Sequence, residues 1–165
     1  MAGLITDLIA VLNEQSSIYE ELAAIAENKK EMIVKSEIDG LRDVGKNESE
    51  LIGKAQKLDK KRDNVVADIA TVLNISTEEI TLTELIKCIE KQPECEELKM
   101  ATTRIQEAAE NMRAVNDKNR VLLENALEFA DYSINVIRSA MEVVPASYDD
   151  DSGAEPPSQM SDIRG

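Results

Sequence analysis

The sequence predicts an all-α fold, an elongated antiparallel bundle of three long helices with a short connector helix and a flexible C-terminal tail. Three observations point to it. Apolar residues recur at alternating steps of four and three along most of the chain. Aromatics make up only 2% of 165 residues, with Phe129 the sole Phe and no Trp, so the core is left to Leu, Ile, Val, Met and Ala. Capping signals, Ser36 with Asp39, Ser76 with Glu79 and Thr81 with Glu84, stand where the helical pattern restarts.

The first helix is expected over about residues 3–34. Its seam runs Leu4, Leu8, Val11, Gln15, Ile18, Leu22, Ile25, Lys29, Met32, polar only at Gln15 and Lys29. A second register, Ile5, Leu12, Tyr19, Ala26 and Ile33, widens the stripe, so this helix should meet more than one neighbour. Ser36 with Asp39 three residues on reads as an N-cap that restarts the pattern over 37–73. That seam is Leu41, Val44, Glu48, Leu51, Ala55, Leu58, Arg62, Val65, Ile69, Val72. Gly45 and Gly53 lie inside it, and packing should offset the helix propensity they lack.

Between Leu73 and Pro93 two capping boxes are expected, Ser76 with Glu79 and Thr81 with Glu84, the latter opening a connector helix over 82–90. Pro93 suits the first turn of a third helix over 94–144, whose positive end is matched by Glu94, Glu96 and Glu97. The third seam runs from Leu98 to Val143 through Ile105, Met112, Val115, Asn119, Leu122, Phe129 and Val136. Pro145 closes the bundle at residue 144, and the acidic stretch 145–165, rich in Pro, Gly and Ser, has too few apolar residues to fold alone.

The composition excludes several classes of function. A formal net charge of −14 repels phosphate backbones and anionic lipid, which argues against nucleic acid and membrane partners. Histidine is absent, and with it the commonest general base and transition-metal ligand. Cys88 and Cys95, seven apart, fit neither a redox pair nor a zinc knuckle and read as two free thiols. Asp149, Asp150 and Asp151 lack the alternation of a calcium loop. No phosphate-binding loop or nucleophile elbow is present, so no enzyme activity, metal or cofactor is expected. The N-terminus has no basic residue ahead of its apolar run and Asp7 interrupts it, so neither a signal peptide nor a membrane span is expected, and the compartment is read as the cytoplasm.

Length points to a site. At 1.5 Å per residue the second helix spans roughly 55 Å and the third roughly 75 Å, so the third should outrun its companions from near Asp131 onward. Yet the residues expected to lack a partner within the chain, 132–144, include Ile134, Val136, Ile137, Ala140, Met141, Val143 and Val144. Leu123, Leu127, Ala130, Ile134, Ile137 and Met141 form a stripe of the kind that docks another amphipathic helix, a client's or that of a second copy in a homodimer, unless the third helix bends back and buries it within the chain. Glu48, Arg62 and Asn119 occupy core slots, where each either fixes register through a partner on another helix or edges out to solvent.

The segments that carry a resemblance are Asp39 and Leu41 at the start of the second helix, KNESEL from Lys46 to Leu51, LDKKR from Leu58 to Arg62, and NDKNRVLL from Asn116 to Leu123. With their helical setting over about residues 1–150, they resemble the FlgN family of flagellar export chaperones. The resemblance implies a cytosolic chaperone that binds the C-terminal helical segments of hook-associated proteins, prevents premature assembly and delivers them to the flagellar export gate. It also implies client binding through the C-terminal part of the chaperone and a C-terminal aromatic at the gate, for which Tyr148 is the nearest match. The alternative is a structural or adaptor coiled coil that self-associates through the same stripe.

Overall fold

A computed structural model of the protein describes residues 1–146, with side chains through Met141. The described residues form four helices and no strand: α1 (Ala2–Lys35), α2 (Ile38–Leu73), α3 (Leu82–Cys88) and α4 (Cys95–Ala146). The all-α bundle follows from the expected seams. The chain divides into a compact unit, Met1–Glu124, and a second unit that begins at Asn125.

In the first unit α1 and α2 form an antiparallel hairpin, and the apolar slots of both seams face each other. The core joins Ile5, Leu8, Ile9 and Leu12 of α1 to Val65 and Ile69 of α2, to Leu85 and Ile89 of the connector, and to Cys95, Leu98, Ala101 and Ile105 of α4. A second cluster, Ile18, Leu22, Leu51 and Ala55, continues along the hairpin with Met112 packed against it. Two hydroxyls in these layers, Ser16 and Thr102, donate to the carbonyls of Leu12 and Leu98 at 2.8 Å, so neither is left unpaired on burial.

The turns differ from expectation at Ser36, at Ser76 with Glu79, and at Pro93. Ser36 does not cap α2; it ends α1 in the left-handed region at φ 56°, while its N–H donates to Ile33 and that of Glu37 to Met32. These bonds satisfy the last carbonyls of α1, and with only two residues between the helices, one must reverse the chain. Asn74 ends α2 in the same way at φ 55°. Ser76 and Glu79 form a backbone turn with no helix behind it, the Glu79 N–H donating to the Ser76 carbonyl.

Thr81 and Glu84 do form the reciprocal capping box, but the helix it opens ends at Cys88. Pro93 stands two residues ahead of α4, in the turn that leads into it, and the Glu94 carbonyl accepts the first bond of the helix from Leu98.

Gly45 and Gly53 have no packing role among the described residues, because a Cβ built on either meets nothing within 4 Å. Replacing each by Ala should therefore stabilise the protein by about 1 kcal/mol, through helix propensity alone. Thermal unfolding of G45A and G53A checks this, and a lowered Tm would reveal a close approach that the packing does not show.

Candidate functional site

Four polar side chains in the hairpin seams meet in pairs. Lys29 Nζ lies 3.1 Å from both carboxylate oxygens of Glu48. Gln15, fully buried, donates from Nε2 to Asp59 Oδ1 at 2.6 Å and accepts from Arg62 Nη1 at 3.3 Å, and Arg62 also faces Asp59 at 3.6 Å. Gln15 and Lys29 are the two polar slots of the first seam, and Glu48 and Arg62 those of the second. Beside these groups the Tyr19 phenol is held above its ordinary 10.0, first by burial and then by the Asp59 carboxylate. It stays neutral in a groove of about 290 Å³ between Leu22, Ile52, Ala55, Met112 and Asn116.

Arg104 and Asn119 fasten α4 to α1. The Arg104 guanidinium donates to both Glu20 carboxylate oxygens at 3.0 and 2.9 Å, to the side chain and carbonyl of Asn13, and to Ser17 Oγ at 3.1 Å. Those three residues share one face of α1, which matches the fork of the guanidinium. The hydrogen bond from Arg104 holds the Glu20 carboxyl below its ordinary 4.5. Asn119, 4% exposed, donates from Nδ2 to the Ala26 carbonyl at 2.7 Å, and its Oδ1 has no partner among the described residues. Residues 104 and 119 of α4 thus sit against 13–20 and 26 of α1, so in the first unit these helices run parallel.

Burial along α4 stops at Asn119. Cys95, Leu98, Ala101, Thr102, Ile105, Ala108, Val115 and Asn119 are buried, whereas no residue from Arg120 to Met141 is. The helix nevertheless continues unbroken, since extension from a formed helix adds one hydrogen bond per residue and needs no new nucleus.

Of the sequence-predicted stripe, Leu123 belongs to the first unit and is partly exposed. The rest lies in the second unit: Leu127 is 66% exposed, Ile134 36%, Ile137 59% and Met141 67%, with Ala130 also exposed. Phe129, Tyr132 and Val136, at 70%, 66% and 49%, are open as well; Tyr132 and Val136 lie in the overhang expected past Asp131, whereas Phe129 is a seam slot ahead of it. Burial stops at Asn119, ahead of the overhang expected from near Asp131, and that is why the sequence misplaces Phe129.

No group of three or more His, Cys, Asp or Glu side chains able to hold a metal occurs among the described residues, and no described helix is long and apolar enough to cross a membrane. Cys88 is exposed and Cys95 buried, both as free thiols. Tyr148 and the acidic tail lie outside the described residues.

No curated protein and no solved structure matches the chain. A family model described as FlgN protein matches residues 1–156, nearly the whole length, with the helices and the exposed stripe inside the match. The chain therefore belongs to the FlgN family, a family of flagellar export chaperones.

Proposed function

We propose that the protein acts in the cytoplasm by holding the C-terminal helical segments of hook-associated proteins on the distal part of α4, through Leu123, Leu127, Ala130, Ile134, Ile137 and Met141. A substrate's terminal helices need an apolar face to assemble outside the cell, and covering that face inside prevents premature pairing. The observation that carries this reading is the set of large apolar side chains left open from Leu127 to Met141 on a helix that is packed as far as Asn119. Flexible Met and aliphatic groups suit a helix-in-groove mode of recognition. Release to the export gate is assigned to the C-terminal region, with Tyr148 as the aromatic contact.

The test is calorimetric titration of the full chain with a purified hook-associated protein. Formation of a defined complex, lost when the client's C-terminal segment is removed, supports the reading. Equal binding of the shortened client, or no heat at all, overturns it. The rival account, self-association through the stripe, is opposed by charge: the net charge of −14 is doubled in any dimer.

We also propose that the polar seam pairs fix how the helices align. Positions 15 with 62 and 29 with 48 both add up to 77, so one antiparallel register satisfies both pairs. Asn119 against Ala26 plays the same part between α4 and α1.

A further inference from the structure

We infer that the client supplies two amphipathic helices to the distal part of α4, one to each side of it, and not a single helix along one stripe. This rests on the chaperone reading above and concerns the architecture of what is bound.

Successive residues of α4 turn by roughly 100° about the helix axis. Leu127, Ala130, Ile134, Ile137 and Met141 lie within about 80° of one another. Phe129, Tyr132 and Val136 fall on nearly the opposite side. Between the two sets, on one flank, stand the small residues Ala126, Ser133 and Ala140. On the other flank lies the polar sector, Glu128, Asp131, Asn135, Arg138 and Ser139. The arc without a charged group thus covers about 220° of the helix circumference.

The first unit shows what such an arc requires. There the residues of α4 from Cys95 to Asn119 that are buried span about 160°, and the core that covers them is drawn from α1, α2 and the connector. One docked helix covers a stripe of about 100°. A single client helix would therefore leave either the Ile134 and Ile137 side or the Phe129 and Val136 side in water. Two helices packed side by side cover both and leave only the polar sector outward.

Charge selects what those helices carry. The polar sector holds Glu128 and Asp131 against one Arg138, on a chain of net charge −14. Helix edges that flank it are expected to be neutral or basic, which also disfavours a second copy of this chain as the occupant.

The test uses the full chain and a purified hook-associated protein, with two double variants. One side is disrupted by I134D/I137D and the other by F129D/V136D, and circular dichroism verifies that helicity is kept. The proposal expects each variant to weaken binding at least tenfold. It also expects a peptide of the client's C-terminal helix alone to bind at least tenfold more weakly than the whole client. If F129D/V136D binds as tightly as the unmodified chain while I134D/I137D does not, a single helix docks and the two-helix inference is overturned, with the chaperone reading intact. If neither variant weakens binding, the client lies elsewhere and both fall. Light scattering of the free chain gives the third arm: a stable dimer dispersed by F129D/V136D assigns that side to a second copy and overturns the inference.

Discussion

The variant I134D/I137D is expected to lose client binding by about three orders of magnitude while its helicity and melting temperature stay nearly unchanged. Ile134 and Ile137 are 36% and 59% exposed in the free chain, so an Asp at either position displaces few internal contacts. At such surface positions a substitution costs about 0.5 kcal/mol. In the complex both side chains would leave water. Burying one Ile is worth about 1.5–3 kcal/mol, and an Asp forced into the same place loses that and adds the cost of a desolvated charge. Two such losses exceed about 4 kcal/mol, which corresponds to roughly a thousandfold in Kd. Calorimetry with a hook-associated protein, paired with thermal unfolding of the free variant, separates the outcomes. A large fall in Tm would place these residues in the chain's own core.

The charge reversal K29E is expected to destabilise the protein by about 1–2 kcal/mol, and the exchange K29E/E48K to restore most of the loss. Side-chain exposures of 26% for Lys29 and 21% for Glu48 mean that water screens this pair only partly. With Glu at both positions, two carboxylates would face each other where an ammonium now bridges. The polar pairs also make the alignment unique. A slip of one heptad would set Lys29 against Leu41 or Ala55, and the fully buried Gln15 against Ala55 or Ile69, leaving its amide without hydrogen-bond partners. A double-mutant cycle by chemical denaturation measures the coupling. No recovery in the exchanged protein would mean that the pair does not set register.

The seams that make the bundle could be read in the sequence because a helix that buries a stripe must repeat apolar residues at steps of four and three. The Thr81–Glu84 box could be read because both partners of a capping box are local. Ser36 could not: a serine before a helix is a common N-cap, and here a very short turn makes the same residue reverse the chain. Polar slots at Gln15, Lys29, Glu48 and Arg62 stood out one by one, but only the hairpin's alignment shows which faces which. Arg104 gave no signal, since its partners Asn13, Ser17 and Glu20 lie on another helix some ninety residues away in the chain. The candidate site was half visible. The stripe from Leu127 to Met141 followed from spacing and the openness past Asp131, Val136 included, from helix length, whereas the openness of Phe129 depends on where burial stops, which periodicity alone does not report.

Amide hydrogen exchange of the free, full-length chain, followed by the same measurement with a hook-associated protein added, tests the central claim most directly. The account predicts that residues 125–141 exchange well ahead of the buried stretches of α1 and of α4 up to Asn119, and that adding the client slows them selectively. Full protection of residues 125–141 in a free chain that light scattering finds to be monomeric would contradict it.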